Sequence, residues 1–264
     1  MGKRALEFTD RWMFNRVLCV EDVCRGVLRA SLGIEVGEIS YLNAEQCYEP
    51  GAGDRGVRMD VVAKEEGRVY DIEIQVSREP RIGRRMRYYQ SAMDVSELGR
   101  GDDVADLPES YIVFFCQRDP FGLALPSYTV ERVCAEAPAL DVGSGSHWLA
   151  LNAQAWEAAA GDPLGEVLEY VGTGRATGPL TARIDGLVEE FNDDEGWVRR
   201  VITLEQDTAM RCRRAKEQGA SEVAALMAAL LDAGRIDDAR RAAEDAAARD
   251  ELARELGLAG GDGR

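Results

Sequence analysis

Histidine is almost missing from this chain: His147 is the only one in 264 residues. A lone histidine excludes a zinc site of the HExxH kind and leaves a Ser-His-Asp triad only one imidazole to draw on. It precedes Trp148 in a stretch of strand character, where a packed or half-exposed ring is the plain expectation. The six cysteines (Cys19, Cys24, Cys47, Cys116, Cys134, Cys212) contain no CxxC pair and keep no regular spacing. They read as reduced thiols in a cytosolic protein, with Cys116 in the core. No apolar stretch approaches the length of a membrane span, and the basic start "MGKR" is followed by no signal-peptide core, so a cytoplasmic protein with no membrane partner is expected. Positive charge is also scarce, with 32 Lys and Arg against 48 Asp and Glu and a net charge of −16. Such a surface repels phosphate at long range, so a nucleic-acid partner would need a local basic patch.

What is there is the composition of a folded protein. Apolar residues make up 45% and charged residues 30%, enough for one large or two small domains with a core that needs no staple. Residues 9–32 repeat apolar side chains every three or four positions, which predicts one helix capped by Thr9 or Asp10 and closed by Gly33. A strand is expected in "VGEISYLNAEQCY", a loop in "EPGAGDRG", a hairpin over 57–75 and a helix in "RRMRYYQSAMDVSELG". A buried strand follows at 110–116, and "PSYTVERVC" and "HWLALN" add edge strands. From about residue 154 every segment has helical periodicity. The Leu/Ala stripe of 220–257 needs a surface to cover it, either the core or another copy of the chain. The order predicts an α/β core over 1–153, a mixed central sheet flanked by helices, and a helical C-terminal region over 154–264 serving oligomerisation or regulation.

The hairpin "VRMDVVAKEEGRVYDIEIQ" carries more acid than a buried pair of strands should. Alternation puts Val69, Asp71, Glu73 and Gln75 on one face of the second strand, and Arg58, Asp60 and Val62 on one face of the first. A turn at Glu66-Gly67 sets Asp60 opposite Glu73, with β-carbons roughly 5 Å apart. Two carboxylates that close repel unless a cation lies between them. A hard divalent ion such as Mg²⁺ suits such a pair and completes its shell with water and phosphate oxygens. Asp71 is expected to face solvent or to stand behind the ligands.

These residues resemble the metal-binding hairpin of PD-(D/E)XK nucleases, and more narrowly the recombination-promoting nuclease/transposase family of prokaryotes. That family shows R-x-D-V/I, a Gly turn and then Y-x-I-E-x-Q. The likeness continues through "TDRWMFNRVL", "RYYQSAMD", "LPESYIVFFCQRDPFG", "SYTV" and "RRAKEQG". The resemblance implies a restriction-endonuclease-like core, Asp60 and Glu73 as Mg²⁺ ligands (Mn²⁺ as substitute), and Gln75 at the position where the wider superfamily usually has Lys. A glutamine amide can orient a water but cannot take its proton at neutral pH. Asn15 replaces the family's usual Lys, and Asp10 or Glu21 is considered as a further ligand.

The basic patch is also in the sequence. "REPRIGRRMRYYQ" holds five arginines against one Glu79, a local +4 directly after the acidic strand. Arg81, Arg84, Arg87, Tyr88 and Gln90 are the candidate nucleic-acid contacts. The functional expectation is a Mg²⁺-dependent DNA endonuclease of recombination or mobile elements, with self-association through the C-terminal helices. The alternative is a catalytically degenerate DNA-binding or protein-interaction module that keeps the fold.

Overall fold

The computed structural model describes residues 5–48 and 56–258. The chain divides into two compact units, one running through Val198 and the other starting at Arg199. Among the described residues no helix is long and apolar enough to cross a membrane.

The first unit opens on two helices where periodicity predicts one. α1 (Arg11–Leu18) is capped by Asp10, whose carboxylate accepts the Trp12 and Met13 amides. The chain turns extended at Val20, and Glu21 and Asp22 then open α2 (Glu21–Leu32), where acids favour a helix start. The break at Cys19–Val20 keeps the apolar stripes of both pieces buried, and for that reason the periodicity ran through it unmarked. Gly33 closes α2 at φ 66, as expected.

Six strands follow: β1 (Tyr41–Tyr48), β2 (Val57–Glu65), β3 (Arg68–Gln75), β4 (Glu109–Cys116), β5 (Ser127–Val130) and β6 (Ser146–Asn152). They form one sheet in the order β1-β2-β3-β4-β6-β5. β1, β2 and β3 are an antiparallel meander, β3–β4 and β4–β6 pair parallel, and β5 is an antiparallel edge. α3 (Ile82–Glu97) makes the crossover from β3 to β4 that a parallel pair requires. The fold is thus the mixed α/β sheet the sequence predicted. Most of the expected loop at 49–56 lies outside the described residues.

β4 shows how the layers are divided. Ile112, Phe114 and Cys116 pack with Ile82, Met86, Tyr89 and Met93 of α3. Phe115, on the other face, meets the Phe14 ring of α1 at 6.2 Å. Cys116 is buried as expected, and no disulfide joins Cys19, Cys24, Cys47, Cys116 or Cys134. His147 is half-buried, its ring stacked on Tyr111 at 4.6 Å.

α4 (Pro163–Thr173) and α5 (Pro179–Asp193) open the helical region expected from residue 154. Both belong to the first unit. Tyr170 of α4 lies 5.4 Å from the Phe8 ring, which itself lies 5.3 Å from Phe14. Their apolar faces are spent on the core, a tertiary fact that helical periodicity cannot carry.

α6 (Glu195–Asp232) runs through Gly219 without a break and ends before Gly234, which is at φ 71. In the second unit, Leu226 and Leu230 of α6 cluster with Ala239 and Ala242 of α7 (Ile236–Glu244) and Leu252 of α8 (Ala246–Glu255). Arg235 joins the helix ends through Asp238 at 2.6 Å and Glu255 at 2.8 Å. Part of the Leu/Ala stripe thus folds back on itself within this unit, while Leu231 and Ile236 stay exposed.

Candidate metal centre and arginine-lined cleft

The hairpin turns at Glu66-Gly67, with Gly67 at φ 73, a conformation that a Cβ would strain. The register then runs from Glu65↔Arg68 to Val61↔Ile72 without a bulge. The next pair in that register is Asp60 with Glu73. There the backbone ladder stops and the two carboxylates take over its hydrogen bonds. Glu73 Oε1 accepts the Asp60 amide at 2.7 Å, and Asp60 Oδ2 accepts the Ile74 amide at 3.3 Å. β2 and β3 therefore part at the two acids the sequence singled out.

Strict alternation would place Asp60 squarely on the face of Val62 and Glu73. Val57 and Met59 pack in the α3 cluster together with Val62, so the alternation of β2 is broken at Asp60–Val61. The Asp60 carboxylate accordingly reaches into the seam between the strands. On the opposite side of β2 the β1 ladder skips the same residue: Ala44↔Val61 and Gln46↔Met59 pair, while Glu45 between them sits at φ 58.

The acids here are deeply buried. Asp60 is 6% exposed, and Asp71 and Glu73 are 0% exposed. The expectation that Asp71 faces solvent is overturned, because α3 covers that face of β3. Neither Asp71 oxygen has a hydrogen-bond partner. Burial raises the Asp71 pKa well above the usual carboxylate range, and the neighbouring Asp60 charge adds to it. Burial likewise raises Glu73, with Asp71 and Asp60 adding to the shift and Arg85 opposing it. Asp60 is raised by burial too, against the Ile74 amide and the Arg11 and Arg85 charges. Acids so placed call for a positive charge among them.

Arg85 of α3 supplies one. Its Nη2 donates to Glu73 Oε2 at 2.8 Å and to Tyr89 Oη at 2.9 Å, and its Nε donates to Tyr89 Oη at 3.1 Å. Nη1 donates to Gln75 Oε1. The guanidinium also packs 5.0 Å from the Tyr89 and Phe114 ring centroids. Gln75 is thus fixed from both ends, its amide nitrogen donating to Ser77 O at 2.7 Å and Ser77 Oγ at 3.2 Å.

Beside these residues lies a cleft of about 710 Å³ whose wall includes Arg58, Arg81, Arg84, Arg85, Arg87 and Tyr88, with Glu79 the one carboxylate among the described residues. Arg81, Arg84, Arg87 and Tyr88 are exposed on it. Gln90 is not part of that surface, which corrects the expectation for this residue. It is 2% exposed, and its amide donates to Asp94 and to Ser110 at 2.7 Å while accepting from Ser146 at 2.9 Å and Trp148 at 3.2 Å. Gln90 ties α3 to β4 and β6. Replacing it by Leu should cost about 1–3 kcal/mol, since buried hydroxyl and indole groups lose their partner. Urea denaturation reads that loss, and a variant within about 0.5 kcal/mol of the parent would show the network to be dispensable.

Asp10 is spent on capping α1, and Glu21 pairs with Arg25 at 3.6 Å. Sequence reasoning missed Glu45, which faces Asp60 across the skipped rung and has Arg11 at 3.5 Å. It also missed the inward turn of Arg85, which helical spacing alone cannot separate from its exposed neighbour Arg84. Asn15 is 3% exposed with both side-chain polar atoms unpartnered, and the structure offers no account of it.

The donors fit a hard divalent ion. They are carboxylate oxygens, and Asp71 adds an unpartnered buried acid next to them. Among the described residues no three His, Cys, Asp or Glu side chains converge into a closed cage. Mg²⁺ asks for less, one or two carboxylates with waters and phosphate oxygens completing the shell. No curated protein and no solved structure matches the chain. Residues 10–125, somewhat under half of the chain and the part that holds both the parted hairpin and the arginine cleft, match the family model of PD-(D/E)XK nuclease family transposases, as the resemblance read from the hairpin implied.

Proposed function

We propose that this chain is a metal-dependent DNA endonuclease acting in recombination or at mobile elements. The observation that carries the proposal is the parting of β2 from β3 at Asp60 and Glu73, next to a cleft walled by arginines. Asp60 and Glu73 would hold Mg²⁺, or Mn²⁺ in its place. Such an ion, when bound, polarises a phosphate oxygen and acidifies a water for in-line attack. Arg81, Arg84 and Arg87 bind the DNA backbone by bidentate contacts to phosphate, while Tyr88 stacks or donates. Gln75 can orient the attacking water through its amide and has no basicity with which to deprotonate it.

A second reading has one observation in its favour. Both ends of the Gln75 amide are engaged, by Ser77 and by Arg85, as befits a non-catalytic module that keeps the fold to bind DNA or protein. Plasmid nicking separates the two. An endonuclease nicks supercoiled DNA in Mg²⁺ and stops in EDTA, and Asp60→Ala lowers its rate by at least about a thousandfold, or about 4 kcal/mol of barrier. No nicking by the parent chain in either Mg²⁺ or Mn²⁺ would leave the binding-module reading in possession.

A further inference from the structure

Both oxygens of Glu73 already carry an N–H donor, Asp60 N on one at 2.7 Å and Arg85 Nη2 on the other at 2.8 Å. An inner-sphere Mg²⁺ stands only about 2.0–2.1 Å from its ligand oxygen, so an ion on Glu73 Oε2 would come close to the Nη2 cation bonded to the same atom. Among the described residues Arg85 is the only cation in ion-pair contact with Asp60, Asp71 or Glu73. Tyr89, Gln75 and two aromatic rings hold its charge in place. A guanidinium and a divalent ion sharing one carboxylate repel each other strongly in a partly buried site.

We propose that Arg85 is a built-in counter-ion that competes with the divalent ion for Glu73, and that it holds the protein's affinity for the ion below what the carboxylates alone would give. The proposal rests on the metal-dependent reading above. Arg85 is a positioning residue in this account, acting on the ion through Glu73. Its side chain is 31% exposed and lines the arginine cleft, so it has room to swing away from the acid.

The test is Mn²⁺ binding by the full chain without DNA, read by the electron paramagnetic resonance of free Mn²⁺ and by the shift in melting temperature. Four proteins are compared: the parent, Arg85→Gln, Arg85→Lys and Glu73→Gln. Gln retains a donor for Glu73 and loses the charge, so Arg85→Gln should bind Mn²⁺ at least about tenfold more tightly, equivalent to about 1.4 kcal/mol. Its Mn²⁺-induced melting shift should grow in step. Arg85→Lys keeps the charge and should stay near the parent. A folded Arg85→Gln that binds no more tightly than the parent overturns the competition, while binding abolished by Glu73→Gln still upholds the metal site. If no protein shows binding that depends on Glu73, the metal reading falls and the competition falls with it. Should Arg85→Gln fail to fold, solvent exchange of the Arg85 Hε proton in the parent decides. Saturating Mg²⁺ should accelerate it, and unchanged exchange overturns the proposal.

Discussion

Asp71→Asn should make the protein more stable at neutral pH and flatten its dependence on pH. The Asp71 carboxyl is fully buried and unpartnered, with its pKa raised by burial first and by Asp60 second. In the unfolded chain an aspartate titrates near pH 3.9. Between that value and the raised folded one, the native state keeps a proton that the unfolded state has released. Stability that is fully present below about pH 4 is then lost as pH rises, at about 1.4 kcal/mol per pH unit. Asn, which cannot ionise, should recover the stability that the raised carboxyl loses. Glu73 and Asp60 are shifted in the same direction and keep some of the slope in the variant. Urea denaturation in EDTA at pH 5 and pH 8 measures the difference. Parallel losses in parent and variant would mean that Asp71 does not hold its proton.

The second large effect concerns how a chain of net charge −16 holds DNA. Each phosphate neutralised contributes a slope of about 0.9 in log K against log salt for duplex DNA. Arg84 and Arg87 are exposed on the cleft and unconnected to the acids of the hairpin, unlike Arg85. Arg84→Gln with Arg87→Gln should reduce the slope by up to about two units, if each meets one phosphate. Between 50 and 200 mM salt that is a difference of about tenfold in how steeply affinity falls. Binding isotherms across that range, taken in EDTA so that nothing is cut, report it. An unchanged slope would move the DNA to another surface.

The parts of this molecule that could be read from sequence are those fixed by neighbours along the chain. Gly67 pins a two-residue turn, the turn pins the register, and the register brings Asp60 opposite Glu73. The mixed sheet likewise follows from the order of its strands and helices. What stayed hidden depends on packing between distant segments. Asp71 is not wet, because a helix eleven residues further on closes over it. Arg84 and Arg85 are adjacent letters in one basic run that both line the cleft, yet only Arg85 is bonded to Glu73. Gln90 looks like an extension of the same run until Ser110, Ser146 and Trp148 close around it. The break between α1 and α2 hides inside a continuous apolar period, and the C-terminal stripe gives no sign that part of it will fold back on itself.

The parted hairpin also equips the protein with two natural spectroscopic reporters. The amide protons of Asp60 and Ile74 point at carboxylate oxygens, one of Glu73 and one of Asp60, where other strand amides point at carbonyls. An amide proton resonance moves downfield when its acceptor is charged, since a charge-assisted hydrogen bond is shorter and stronger than a neutral one. Nitrogen-labelled protein would therefore display the ionisation of each acid separately, in solution and without a mutation. The same two peaks would follow any cation that draws on those oxygens, so one titration could tell which of the two acids is engaged first.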